Sequence, residues 1–341
     1  MHRLAMAQTK HVYHNRITDR KPDRCGLAVV TLRSLMINAR SIFSTLVSAG
    51  LMSIAISSPA AGQASPTFPG VEEALGRKGA AQPGEVLKFS FPRSDLSVTA
   101  DGVMLKPALA LGSWAAFKHI GTGQSMAMGD LVLTEDEVGP VMTALQAGGI
   151  EQTAVHNHVL HESPRVMYVH FSAHGDAAKV AQTLRTALAA SKTPTGTPAA
   201  PAASTTPSAA DLDTAGIARA LGIAGKLSGV VYQVSVPRRE RITDRGHEVP
   251  PSMGVATAIN FQPTGGGKAA VTGDFVMRAS EVNKVIRALQ AHGITTTALH
   301  SHMLNEEPRL FFMHFWANDD AVTLAKGFRA ALNETASKLD R

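Results

Sequence analysis

A gapless internal duplication constrains this chain more than any other feature. Residues 129–188 align with residues 273–332 at a constant offset of 144, with 29 identities in 60 positions. Chance does not give a match of that length, and units this long make tandem domains rather than the stacked short units of a solenoid. Upstream the match is looser: Phe91-Pro-Arg93 corresponds to Val236-Pro-Arg238, and Val98-Thr99 to Ile242-Thr243. Between the copies, residues 193–210 read TPTGTPAAPAASTTPSAA. That tract has no large apolar residue to bury and predicts a semi-extended linker. The expected organisation is a first repeat over 68–190, a linker over 191–210 and a second repeat over 211–335.

Periodicity orders the elements within a copy. Leu131-Val-Leu133 reads as a short strand, and Thr134 with Glu137 has the spacing of a capping box. The helix that follows places Val138, Val141, Met142 and Leu145 on one face, repeated as Val282, Val285, Ile286 and Leu289. Gly149 and Gly293 close it. Two strands joined by a short turn come next, and residues 177–188 or 321–332 make a second helix. Strands expected over 86–91, 96–99 and 109–117 precede this unit. The order predicts an α+β fold, two tandem copies of a ferredoxin-like βαββα module with extra N-terminal strands.

Charge and cysteine usage bound the setting. The chain carries a formal +6, but residues 1–64 hold 8 basic and 2 acidic side chains, which leaves 25 of each sign in residues 65–341. A neutral body argues against a nucleic-acid partner, whose phosphates would be met by a surplus of Lys and Arg. Met36-Ile-Asn-Ala-Arg40 reads as a positive n-region, residues 42–56 as an uncharged apolar stretch, and residues 58–64 as a small-residue cleavage region. This predicts a signal peptide over 36–64 within a 1–64 leader, and hence a periplasmic or secreted protein. The apolar stretch, about 15 residues, is shorter than the ~20 that cross a bilayer, and no membrane span is expected in the mature chain. The single cysteine, Cys25, precedes the leader's apolar stretch, so disulfide and thiol chemistry are not expected beyond it.

The paired strands carry the residues of chemical interest. Strand alternation puts His156 and His158 on one side, with Tyr168 and His170 sharing a face of the next strand. Copy two repeats this with His300 and His302, then Phe312 and His314. The apolar set Met167, Val169 and Phe171, repeated as Phe311, Met313 and Phe315, should meet the helices. The three histidines of each copy should then emerge together on the opposite face. Three imidazoles on neighbouring strands suit Zn, Cu or Ni, and the expected ligands are His156, His158 and His170 in one copy and His300, His302 and His314 in the other. Packed, hydrogen-bonded sheet histidines are the structural alternative. Glu162-Ser-Pro-Arg165 and Glu306-Glu-Pro-Arg309 occupy the turn. Glu162, Arg165, Glu306 and Arg309 are candidates for an anionic ligand, although a turn preset by Pro with a Glu–Arg pair is the favoured explanation of the motif. Asp130 and Asp274 follow glycines and either cap a turn or reach a site. Trp114 and Trp316 read as core, and Gly265-Gly-Gly-Lys268 as a hairpin tip.

The strings GDLVLTEDEV, TAVHNHVLHESPRVMYVHF and TALHSHMLNEEPRLFFMHFWANDDAVTLAKG resemble the LppY/LpqO family of secreted bacterial proteins and lipoproteins. The resemblance covers nearly all of residues 70–335 and implies export and a duplicated domain of unknown function, without an activity or site residues. This chain lacks the lipobox cysteine of the lipoprotein members. The functional expectation is an exported periplasmic binding module, with a histidine-lined site for Zn or another divalent transition metal, or for a small-molecule or cell-envelope ligand, in each repeat. Two alternatives stand beside it. One is a metal-dependent hydrolase acting on cell-envelope material with Glu162 or Glu306 as general base, and the other a structural envelope protein with architectural histidines.

Overall fold

The structure, a computed structural model, describes residues 66–196 and 208–339. The leader expected over 1–64 and most of the linker lie outside the described residues.

Each repeat builds one six-stranded antiparallel sheet. Repeat one contributes β1 (Ala80–Gln82), β2 (Val86–Pro92), β3 (Gly112–Gly121), β4 (Gln124–Thr134), β5 (Glu151–His156) and β6 (Val166–Gly175). Repeat two contributes β7 (Lys226–Ser228), β8 (Val231–Pro237), β9 (Ala256–Gly265), β10 (Lys268–Met277), β11 (Thr295–His300) and β12 (Phe311–Asp320). The spatial orders β1-β2-β3-β4-β6-β5 and β7-β8-β9-β10-β12-β11 are the same. Helices α1 (Val71–Leu75), α2 (Glu135–Ala147) and α3 (Ala177–Ala189) belong to repeat one, and α4 (Thr214–Leu221), α5 (Ala279–Gln290) and α6 (Ala321–Asn333) to repeat two. Val141, Leu145, Leu184 and Leu188 pack on Phe89, Leu131, Val169 and Phe171 in one core. The apolar strand set expected to face the helices does so.

Several boundaries differ from the sequence expectation. The strand expected at 131–133 is the end of the 11-residue β4, buried on both faces and therefore without alternation to reveal it. The strand expected over 96–99 shrinks to Thr99–Ala100, and that over 109–117 begins at Gly112. The turn between β5 and β6 is not short. Residues 157–165 make an excursion in which Glu162–Ser163 pairs with Thr99–Ala100, itself paired with Val103–Met104. Repeat two builds the same small sheet from Thr243–Asp244, His247–Glu248 and Glu306–Glu307. At the linker's end Ala209–Asp211 forms a 3₁₀ turn, because Ser208 Oγ accepts from Ala210 N at 3.0 Å. The end of the linker is thus locally regular.

A buried ion network fixes each helix to its sheet. Arg93 is fully buried and donates to Val132 O at 2.7 Å and to Glu137 Oε2 at 2.8 Å. Glu137 also accepts from Thr134 N at 2.9 Å and from Lys192 N at 2.8 Å, so the helix-capping residue also anchors the chain after α3. Arg238 repeats the pattern with Val276 O and Glu281. Replacing Arg93 by Met is expected to lower the unfolding free energy by about 3–5 kcal/mol, because it leaves the Glu137 carboxylate buried without its partner. Urea denaturation followed by circular dichroism measures this, and an unchanged midpoint would contradict it.

The two sheets face each other through the sides away from their helices. The loop of repeat one around Val98, Leu105 and Leu109 packs on Val231, Ala270 and Trp316 of repeat two. Reciprocally, Ile242, Val249 and Met253 pack on Val86, Met126 and Met128. Where the edge strands β5 and β11 meet, Thr153 Oγ1 donates to His302 O at 2.8 Å, and its counterpart Thr297 Oγ1 donates to His158 O. Each contact has its equivalent in the other direction, as an isologous pairing requires.

Candidate metal centre

The pairing brings both histidine sets into one box. One row crosses the sheet of repeat one from Ser90 through Trp114 and Asp130 to His170 and Ala154, and a matching row runs from Ser235 through Ala258 and Asp274 to His314 and Ala298. His156 lies opposite Tyr168 and His300 opposite Phe312. Equivalent rings meet at the centre: His156 and His300 stack with centroids 3.9 Å apart.

The third histidine of each copy crosses over. His156, His158 and His314 form one group whose ligand atoms all lie within 4.8 Å of one another. Asp274, His300 and His302 form a second, and His156, His170 and His300 a third. The expectation that each copy gathers its own three histidines is therefore corrected. The sheets stack face to face, so the histidine on β6 or β12 lies nearer the opposite repeat's His-x-His than parity within one sheet reveals. His156 Nε2 is 3.1 Å from His314 Nε2, and His302 Nε2 is 3.1 Å from His300 Nε2. Two nitrogens bound tetrahedrally to one ion at ~2.0–2.1 Å stand roughly 3.3 Å apart. The observed spacing is close to that.

Backbone carbonyls set the tautomers. His170 Nδ1–H donates to Gly129 O at 3.1 Å, His314 Nδ1–H to Gly273 O at 2.6 Å, and His302 Nδ1–H to Gly254 O at 2.9 Å. Each leaves Nε2 with its lone pair directed into the box, the arrangement a metal-ligating histidine needs. Glycine is required at the two donor-holding strand positions. A Cβ at Gly129 would lie 2.2 Å from Trp114 O, and one at Gly273 would lie 1.9 Å from Ala258 O.

Asp130 and Asp274 complete the box. They sit inside strands, not at strand starts, and face the rings. Asp274 Oδ2 lies 2.9 Å from His302 Nε2, and Asp130 Oδ2 lies 3.3 Å from His158 Nε2. Sequence reasoning left them open because Gly-Asp is a common turn pair, and the duplicated Gly-Asp inside the most conserved block between the copies was the available signal. Buried atoms here lack hydrogen-bond partners, among them His158 Nε2, His170 Nε2, Asp130 Oδ1 and Asp274 Oδ1.

Burial holds the rings neutral. It pushes His156, His158, His300 and His314 below the ordinary imidazole range, with repulsion among the rings adding to it. Burial likewise lowers His170 to about 3 and His302 to about 4, against the opposing pull of Asp130. Asp274 is raised to about 7, first by burial and then by Asp130. Neutral imidazole is the form that binds metal.

The turn residues stand apart from this chemistry. Arg309 Nη1 donates to Glu306 Oε2 at 3.2 Å, and Leu310 N donates to Glu306 Oε1 at 3.0 Å, the structural pairing of the motif. Exposed Arg165 turns instead to Glu135, 3.6 Å away. Glu162 is raised to about 7 by burial. None of Glu162, Arg165, Glu306 and Arg309 belongs to the three groups of ligand atoms. Trp316 is core, donating Nε1–H to Asp101 Oδ2 at 2.9 Å, whereas Trp114 is half-buried and lines a cleft. That cleft, about 1330 Å³, opens onto His158, His170, His302, His314, Asp130 and Asp274.

A family model described as Domain of Unknown Function (DUF1259) matches residues 69–190 and again residues 215–334. The chain belongs to this family. Both DUF1259 copies carry the Gly-Asp, His-x-His and His-Phe positions described above. No curated protein matches the chain. Among solved structures it is similar to the trimeric bacterial microcompartment shell protein PduB, at 13% identity over 75% of this chain and 90% of that one, with a TM-score of 0.18. EtuB from Clostridium kluyveri is similar at 10% identity over 79% and 93%, with a TM-score of 0.17. No helix among the described residues is long and apolar enough to cross a membrane.

Proposed function

We propose that this DUF1259 protein is an exported binding module that holds divalent transition-metal ions, of the Zn²⁺ class, in a histidine–aspartate box shared by its two repeats. The observation that carries the reading is the pair of Nε2–Nε2 separations of 3.1 Å beside buried carboxylates. Six neutral imidazoles and two carboxylates match the ligand preferences of Zn²⁺ and its neighbours. Architectural histidines would have both ring nitrogens satisfied, whereas here buried Nε2 atoms lack partners. Export is supported by the leader-like residues 36–64. The strings quoted for the LppY/LpqO resemblance support that narrower family name. The order β4-β6-β5, with β3 beside β4, supports reading each repeat as a ferredoxin-like module.

Elemental analysis of the purified full chain is expected to find about two transition-metal ions per molecule, one for each of the two groups that share no residue, His156–His158–His314 and Asp274–His300–His302. Metal-free protein that takes up no zinc on titration, and whose His300→Ala/His302→Ala variant merely unfolds, would make the histidines architectural.

A further inference from the structure

Duplication predicts a symmetrical cleft, and the side chains depart from that symmetry at Lys88 and Trp114, among other positions. Lys88 on β2 faces the same side as Ser90 and Trp114, and its ammonium stands 4.0 Å from the centre of the Trp114 ring. The matching positions of repeat two are Gln233 and Ala258, which supply neither a cation nor an aromatic platform; the cation of that wall is exposed Lys226, across the strand pair from Gln233. Gln233 Nε2 is turned away to Ala108 O at 2.9 Å. Among the described residues no carboxylate lies within ion-pairing distance of Lys88. Both Lys88 and Trp114 line the cleft that reaches the histidine box. Outside the box carboxylates Asp130 and Asp274, the other charged lining residues, Glu85, Lys118, Lys226 and Glu248, cancel in sign.

We infer that the cleft binds a small oxyanion, the phosphate or carboxylate group of a soluble ligand, between Lys88 and the metal-loaded box. The inference rests on the metal reading above. Asp130 and Asp274 would repel an anion from the empty box, whereas two dications against two carboxylates leave an excess of positive charge that attracts an anion. Lys88 lines the cleft on the strand beside Trp114, makes no ion pair among the described residues, and feels the charge of Asp130 in the box. Trp114 holds its ammonium by a cation–π contact without consuming its hydrogen-bond donors. Burial, opposed by Asp130, lowers Lys88 to about 8, so it stays mostly protonated at neutral pH.

The test titrates inorganic phosphate into zinc-loaded full-length protein by calorimetry, with zinc content measured on each sample. Lys88→Gln copies the residue of repeat two and is compatible with the fold, while Lys88→Arg keeps the charge. Expected are phosphate binding by the loaded wild type, weakening of about tenfold or more in Lys88→Gln, and recovery in Lys88→Arg, all at unchanged zinc content. Loaded wild type that ignores phosphate, or Lys88→Gln that binds it equally well, overturns this inference and leaves the metal reading standing. Protein that takes up no zinc overturns the metal reading, and the anion site with it.

Discussion

Metal-free protein is expected to unfold on acidification from about pH 6.5 to about pH 4. An unfolded histidine titrates near 6.5, while the six box histidines are all lowered in the fold, His302 to about 4 and His170 to about 3. Below pH 6.5 the unfolded chain therefore takes up protons that the folded chain refuses. Stability falls as pH falls, by about 1.4 kcal/mol per pH unit for each such ring. Asp274 acts in the opposite direction. Raised to about 7, it holds its proton in the fold over a range where the unfolded carboxyl has lost it. One aspartate does not offset six histidines. A net uptake of several protons exceeds a domain stability of about 5–15 kcal/mol within roughly two pH units. Zinc should move the transition to lower pH, because it binds only the neutral rings and only the folded state. Circular dichroism against pH, with and without zinc, reads both effects. A metal-free fold that persists unchanged at pH 4 would remove the burial argument for neutral imidazoles.

The crossover of the third histidine has the second large effect. His314 belongs to repeat two but groups with His156 and His158 of repeat one. His314→Ala should cost one of the two ions, with a loss of affinity beyond the roughly 10–100-fold typical of an outer-sphere partner. The pairing of variants decides which ion is lost. His158→Ala combined with His314→Ala strikes one group twice, so the double variant should keep the other ion. His302→Ala combined with His314→Ala strikes both groups and should keep neither. This is the non-additivity that shared partners produce. The reverse pattern, with His158→Ala/His314→Ala losing both ions, would place each site within a single repeat.

The sequence by itself determined that the chain is two copies of one α+β unit, because a constant offset needs no structure to be seen. It also determined which face of β6 and β12 meets the helices, since strand parity follows from alternation, and it singled out the six histidines. Local patterning could not show the length of β4, whose burial on both faces erases alternation. The excursion of residues 157–165 was hidden because its partner, Thr99–Ala100, lies some sixty residues away. Tertiary structure alone decided how the histidines combine. Parity within one sheet says which side a ring leaves from but nothing about what faces that side. Here it is the same face of the other copy, so His314 meets His156, His300 stacks on His156, and two expected sites become one box. Lys88 passed unnoticed, and Trp114 read as core, for the same reason. Nothing local distinguishes a cation on a strand from a solvated one until the opposite wall is in place.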